Sequence, residues 1–224
     1  MKLIKKIIVS FMVAAVLIGI MDDVPLSAAS TEKSDGKNMK KVVTYYGKRQ
    51  YKKAAAYNKK LSKKAKEKCV DNMSAGMKKA YLKKVKKYST ELSADGSPYL
   101  WEYYLTDIDN DKQADLLIKS GTCEADVMLD VYVYKNNRLK HIGSKGAFHS
   151  GYYAYPMHNG IVEYGGMWGE EWMNLVTIVN GKLKTKKIGT CIIDDEWFSL
   201  ECSLDTHVSY DSNYKSIVDY FDLK

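Results

Sequence analysis

The spacing of hydrophobic and polar positions changes near residue 95. From Met73 to Leu92, apolar residues recur every three or four positions and lysines fill the positions between them. This spacing is typical of an amphipathic helix that packs one face on a sheet. Residues 50–69 carry a thinner stripe of the same period, which predicts a weaker helix within a basic helical region of residues 49–92. Residues 30–48 are polar and are predicted to be disordered or a linker.

From residue 97 onward the pattern predicts antiparallel strands. Asp126–Tyr134 alternates apolar and polar side chains, and Asn136-Asn137 then predicts a tight turn into the next strand. Leu175–Val179 leads through Asn180-Gly181, a two-residue hairpin signal, into a further strand. The two hairpins have similar sequences, which either an internal duplication or shared hairpin chemistry explains.

These elements predict an α+β protein. Its N-terminal Lys-rich helices are expected to pack on one antiparallel β-meander of six or more strands. That β domain spans residues 97–224, and residues 212–221 within it are predicted to form a short C-terminal helix.

The first 29 residues have the features of an export signal. Three lysines precede an apolar run, Ile7–Ile20, and Ser27-Ala28-Ala29 offers small residues for cleavage before Ser30. The run is shorter than the ~20 residues that a membrane span needs. We therefore expect residues 1–29 to be a signal peptide and the protein to be secreted or associated with the cell wall. The alternative is an uncleaved N-terminal anchor.

The net charge of +8 is unevenly distributed. Residues 31–90 hold 20 lysine and arginine residues against four acidic ones, whereas residues 91–224 hold 12 against 21. Such asymmetry suggests different partners for the two parts. Export argues against nucleic acid, so the hypothesis is that residues 49–92 contact anionic cell-surface polymers or membrane headgroups. The alternative is a solvated face that keeps the protein soluble. The sequence does not indicate an oligomeric state.

The segment from Asp107 to Asp115 holds the most specific chemical signal. Asp107, Asp109, Asp111 and Asp115 occupy loop positions 1, 3, 5 and 9, and the backbone carbonyl of Gln113 lies at position 7. These groups can converge as the oxygen-only ligand set that a hard cation such as Ca²⁺ prefers. The alternative is a hairpin turn rich in Asp and Asn that binds no ion.

This segment resembles the D-x-D-x-D-G-x-x-D calcium loop of FG-GAP and VCBS-type β-repeats, over about twenty residues. The resemblance implies a loop between two antiparallel strands, with Ca²⁺ bound by Asp107, Asp109, Asp111, Gln113 and Asp115. An EF-hand is a poorer match, because its twelfth position requires Glu and Ile118 stands there. Lys112 occupies the position of the family glycine, and the turn conformation needed there costs a non-glycine residue ~1–2 kcal/mol.

The four cysteines could form disulfides, and one of them could serve as a catalytic thiol beside a histidine. Export places Cys69, Cys123, Cys191 and Cys202 where disulfides can form, and Cys191 and Cys202 are close enough in sequence to pair across a hairpin. Free, buried cysteines are the alternative. A secreted thiol hydrolase or transferase would use Cys123 with His149 or His158. Because Cys123 precedes strand residues and does not open a helix, we expect no catalytic residues.

Aromatic residues among glycines mark a candidate ligand groove. Exposed Trp and Tyr beside carboxylates commonly stack on sugars or bind peptides. The alternative is that the tryptophans fill the core beside glycine turns. The candidate residues are Tyr152, Tyr153, Trp168, Glu170 and Trp172. The sequence as a whole indicates a secreted, calcium-binding, non-enzymatic protein of surface binding or interaction.

Overall fold

The computed structural model describes residues 26–62, 73–96 and 99–192. The described helices are α1 (Leu26–Gly47), α2 (Tyr51–Asn58) and α3 (Ala75–Thr90). The described strands are β1 (Leu100–Thr106), β2 (Asp115–Ser120), β3 (Met128–Lys135), β4 (Arg138–Gly146), β5 (Ser150–Ala154), β6 (Ile161–Met167), β7 (Glu170–Val179) and β8 (Lys182–Ile192).

The strands form two antiparallel meanders of four strands each, in the orders β1-β2-β3-β4 and β5-β6-β7-β8. The predicted α+β class, with N-terminal helices on antiparallel sheets, is confirmed. The expectation of one continuous meander differs from the structure, because pairing is broken between β4 and β5. The two similar hairpins, β3–β4 and β7–β8, are the last two strands of their respective sheets. Their turns, Asn136-Asn137 and Asn180-Gly181, all have positive φ, as predicted for tight hairpins.

The described elements form four layers, in the order α3, the first sheet, the second sheet, and α1 with α2. A hydrophobic cluster lies between each two adjacent layers. Side chains of both sheets meet in the central cluster, which includes Leu117, Val131, Tyr152 and Val176. The outer face of the first sheet packs on α3 through Met77, Tyr81 and Val85. The outer face of the second sheet packs on α1 and α2 through Met39, Val42, Tyr46 and Ala54. Each sheet therefore buries both of its faces.

Helix α1 corrects the prediction that residues 30–48 are disordered or a linker. Met39, Val42, Val43 and Tyr46 are buried against the second sheet and recur at the i, i+3, i+4, i+7 spacing of a helical stripe. Gly36 lies so close to Pro156 that an added Cβ would come within 2.9 Å of its carbonyl oxygen. Burial of this narrow stripe stabilises a segment whose composition alone suggests disorder.

Helix α3 confirms the prediction made for residues 73–92. The Ser74 hydroxyl accepts a hydrogen bond from the Met77 amide at 3.2 Å, which caps the helix. Met77, Tyr81 and Val85 are its buried stripe, and the lysines between them face outward. Among the described residues, no helix combines the length and apolar character needed to cross a membrane. The predicted helix at 212–221 and most of the predicted signal peptide lie outside the described residues.

The β1–β2, β3–β4, β5–β6 and β7–β8 turns lie at one end of the two sheets, which we call the turn end. The Gly160 amide in the β5–β6 turn donates to the Ile108 carbonyl at 2.7 Å, and Asn159 Nδ2 donates to the Asp109 carbonyl at 3.3 Å. These bonds fasten the β1–β2 loop to the second sheet. The opposite end carries the β2–β3, β4–β5 and β6–β7 connections.

Candidate metal centre

Residues 107–114 form the loop between the antiparallel strands β1 and β2, as the resemblance implied. Asp107, Asp109 and Asp115 each place one carboxylate oxygen within 4.8 Å of the others. We call these three residues the Asp triad. Asp107 and Asp115 are almost fully buried. Three carboxylates around one point form a cluster that can hold a metal ion.

The loop is shaped by hydrogen bonds from its own backbone to its carboxylates. Asp107 accepts from the amides of Asp111 at 3.0 Å and Lys112 at 2.9 Å. Asp115 accepts from the Ile108 amide at 3.0 Å across the base of the loop. Such side-chain bonds to nearby amides are the reason that Asp favours turns. They orient two of the triad carboxylates without any contribution from distant residues.

Two non-glycine residues in the loop adopt the left-handed conformation. Asn110 has φ +64° and Lys112 has φ +67°. Asn tolerates this region of φ and ψ better than most residues, whereas Lys has no such preference. The position at which the FG-GAP and VCBS pattern carries glycine is therefore strained in this chain.

Replacing Lys112 with glycine is expected to raise the free energy of unfolding by about 1 kcal/mol, because it relieves this strain. Chemical denaturation of Lys112→Gly and Lys112→Ala measures the effect, since alanine removes the charge but keeps the strain. If the free energy of unfolding rose equally in both variants, the cause would be the loss of charge, and the conformational explanation would be contradicted.

Lys135 of β3 forms ion pairs with two carboxylates of the loop. Its Nζ lies 2.6 Å from Asp109 Oδ2 and 3.4 Å from Asp111 Oδ2, and these carboxylates raise the pKa of Lys135. Asp109 is largely buried, and its other oxygen, Oδ1, has no hydrogen-bond partner among the described residues. A buried carboxylate oxygen without a partner is costly unless a ligand satisfies it. The single charge of Lys135 therefore compensates the cluster only in part.

The negative charge of Asp115 is poorly compensated by its surroundings. Burial, followed by the Asp109 carboxylate, raises the pKa of Asp115 to about 8, although the hydrogen bond from the Ile108 amide lowers it. A carboxylate with such a raised pKa lies in a place where negative charge is unfavourable. A bound cation would remove that disadvantage. The charge, burial and oxygen chemistry of the Asp triad thus fit a metal ion.

The triad contains three of the four carboxylates in the predicted ligand set. The Asp111 carboxylate pairs with Lys135 and accepts from the Gln113 amide at 3.0 Å, so it lies outside the triad. The described contact of Gln113 is made by its N–H, which leaves its predicted role as a carbonyl ligand a prediction.

Helix α3 is joined to the loop by a hydrogen bond. The fully buried Tyr81 donates its hydroxyl to the Ala114 carbonyl at 2.7 Å. Ala114 is also fully buried and directly precedes Asp115. The packing of α3 therefore reaches the triad through one hydrogen bond.

The predicted thiol site is only partly assembled. Cys123 is exposed in the β2–β3 connection, and its amide donates to Asp126 at 2.9 Å. His149 lies at the same end, where its amide donates to Glu124 at 3.0 Å. His158 lies at the turn end and stacks on Tyr155 at 4.4 Å. The topology thus leaves His149, and not His158, as the histidine near Cys123.

Cys191 is half-buried and belongs to a polar cluster between α1 and the second sheet, with the buried residues Tyr46 and Glu171. Its Sγ donates to Glu171 Oε2 at 3.4 Å and lies 3.3 Å from the Tyr46 hydroxyl. Burial raises the pKa of this thiol. Cys202 lies outside the described residues, so the Cys191–Cys202 disulfide stays a prediction.

The five residues of the predicted aromatic groove do not line one groove. Tyr152 is buried between the sheets, whereas Tyr153, its neighbour on the strand, packs on the opposite face beside α1. Trp168 is 92% exposed at the tip of the β6–β7 turn, and Glu170 is exposed beside it. Trp172 packs on Phe148 at 5.8 Å. The alternation of side chains along β5 separates residues that are adjacent in sequence.

Sequence reasoning missed a cleft beside the Asp triad. It has a volume of about 270 Å³ and opens at the turn end between the β3–β4 and β7–β8 hairpins. We call it the turn-end cleft. Its polar lining is Asp109, Lys135, Lys140 and Asn159, and its remaining lining is Val133, Ile142, Ile178 and Gly181. The similarity of the two hairpins was the one sequence signal that could have pointed to their juxtaposition.

Comparisons of the chain with protein-family models, curated proteins and solved structures found no match.

Proposed function

We propose that this chain is an exported, calcium-binding and non-enzymatic protein that acts in surface binding. One observation carries the proposal. The Asp triad is buried, its three carboxylates converge within 4.8 Å, and Asp109 Oδ1 is left without a hydrogen-bond partner. The loop spacing that resembles the FG-GAP and VCBS calcium loop supports the same ion.

The chemistry of the triad favours Ca²⁺ over other metals. All its ligand atoms are carboxylate oxygens, whereas zinc sites are built mainly from Cys and His. Mg²⁺ demands near-ideal octahedral geometry and gives up its waters reluctantly, whereas Ca²⁺ accepts irregular sets of oxygens. The irregular loop, with two left-handed residues, suits the more tolerant ion. The strained Lys112 suggests an affinity of about 10⁻⁴–10⁻³ M, as in extracellular modules.

The distribution of basic residues supports surface binding. Tyr45 and Tyr57 stack at 5.6 Å on α1 and α2, and the ammonium groups of three lysines lie over these rings. Those lysines are Lys41, Lys53 and Lys60. The edge strands β4 and β8, which contact each other, add a basic strip of Arg138, Lys140, Lys182, Lys184 and Lys186. Both surfaces suit an anionic polymer or lipid headgroups.

Calcium is expected to stabilise the protein lacking residues 1–29. At 10 mM Ca²⁺ and the affinity above, binding to the native state alone adds about 1.4–2.7 kcal/mol. The corresponding rise in Tm is about 3–10 °C. Differential scanning calorimetry with and without Ca²⁺ measures it, with 10 mM Mg²⁺ as the ion control.

The variant Asp109→Ala should lose this calcium-dependent rise. The matched control is Glu170→Gln, which removes an exposed carboxylate at the opposite end and should keep the full rise. No shift in the parent protein, or an equal shift in Asp109→Ala, would contradict calcium binding at the triad.

A further inference from the structure

The turn-end cleft shares one wall with the Asp triad. Asp109 contributes to both, and Lys135 lines the cleft while its Nζ is held by Asp109 and Asp111. Lys140 lines the same cleft from β4. A Cβ built on Gly181 would lie 3.7 Å from Lys140 Nζ, so this ammonium is close to the β7–β8 turn. Two cations from neighbouring positions of one hairpin thus line a cavity beside the acidic loop.

Lys135 and a metal ion would compete for the same carboxylate. Lys135 is the positive charge that Asp109 has in the structure. A divalent ion at the triad would place two positive charges close to Lys135, and the attraction between Lys135 and Asp109 would weaken. The Lys135 side chain is about half exposed and can turn toward the cleft. The cleft would then present the ammonium groups of Lys135 and Lys140, and neither would pair with Asp109.

We propose that the turn-end cleft binds an anionic sugar residue in a calcium-dependent manner, with Lys135 and Lys140 as its anion ligands. This proposal rests on the proposed calcium site and names the ligand class for surface binding. Calcium at the triad releases Lys135 from Asp109, and the released ammonium joins Lys140 at the cleft. The ion is therefore required for anion binding although the lysines make the contact.

The size and lining of the cleft fit one sugar residue with a phosphate or a carboxylate. A volume of about 270 Å³ lies just below the range of about 300–1,000 Å³ that is typical of small-molecule pockets, which limits the ligand to about one ring. Ile142 and Ile178, which are partly exposed, form an apolar wall on which the carbon face of a ring can pack. The Asn159 amide supplies a further polar group for hydroxyls. Lysine ammonium groups bind both phosphates and carboxylates as point charges.

The proposal requires reciprocal coupling between the two ligands. If calcium increases the affinity for the anionic sugar, the sugar must increase the affinity for calcium by the same factor. An adventitious contact with the exposed lysines elsewhere would show no such coupling. Coupling therefore distinguishes the cleft from general attraction by a basic surface.

Isothermal titration calorimetry tests the proposal on protein lacking residues 1–29. The probes are glucose 6-phosphate, glucuronate and uncharged glucose, each titrated with and without 10 mM Ca²⁺. We expect one of the two anionic probes to bind at least tenfold more tightly with calcium, and glucose to show no calcium-dependent binding. Comparing the two anions decides between phosphate and carboxylate. Lys140→Gln should weaken the anionic probe about tenfold or more, whereas Lys184→Gln, in the basic strip but outside the cleft, should not.

Failure of each idea gives a separate result. Calcium binding without calcium-dependent anion binding would overturn the cleft proposal and leave the proposed calcium site intact. Absence of calcium binding would overturn both. Equal loss in Lys140→Gln and Lys184→Gln would show that the anion contacts the basic strip and would overturn the cleft proposal.

Discussion

Replacing Lys145 with methionine is expected to lower the free energy of unfolding by about 3–5 kcal/mol. Lys145 of β4 pairs with Glu163 of β6, and their side chains are only 15% and 2% exposed. The pair joins the two sheets. Glu163 also accepts from Asn174 Nδ2 at 2.6 Å. Without Lys145, a charged carboxylate would remain buried without its cation, which costs more than the pair contributes when intact.

Chemical denaturation of three variants measures this effect. The double variant Lys145→Met/Glu163→Gln should recover much of the loss, because it removes the uncompensated charge. The matched control is Lys87→Met on α3. Its pair with Glu91 is well exposed, so we expect a loss of less than ~0.5 kcal/mol. A loss below 1 kcal/mol in Lys145→Met would show that solvent reaches Glu163, and that the pair does not hold the sheets together.

The sequence predicts the elements whose signals are local. Helix α3 has a wide apolar stripe, and the two predicted turns, Asn136-Asn137 and Asn180-Gly181, consist of residues that accept positive φ. Helix α1 escaped prediction because lysines surround its four core residues, and its stability comes from the second sheet. The division into two sheets also escaped prediction, because alternation along a strand does not record which strands pair.

In the candidate metal centre, too, the sequence predicts the local contacts and misses the distant ones. The carboxylates of Asp107 and Asp115 are oriented by amides at most seven residues away, so their spacing in the sequence was sufficient to predict their convergence. Lys135 lies 26 residues from Asp109, and Asn159 lies 50 residues away. Only the packing of the two sheets brings these residues to the loop.

Replacing Tyr81 with alanine is expected to cost about 3–5 kcal/mol, since the residue is fully buried in the cluster below the first sheet. Tyr81→Phe is the more informative variant, because it removes only the hydroxyl. It leaves the buried Ala114 carbonyl without its donor, which costs about 1–3 kcal/mol. Denaturation without calcium measures both losses.

If α3 positions the calcium loop, Tyr81→Phe should also weaken calcium binding. The Ala114 carbonyl is held next to Asp115, so freeing it adds conformational freedom that a bound ion must remove. We expect calcium affinity to fall about tenfold, which corresponds to ~1.4 kcal/mol less stabilisation by calcium. Tyr46→Phe is the matched control, because Tyr46 is equally buried, contacts Cys191 through its hydroxyl and lies below the other sheet. It should lose stability and keep its calcium affinity. An equal fall in both variants would mean that calcium binding follows overall stability, and that the hydrogen bond from Tyr81 has no specific role in positioning the triad.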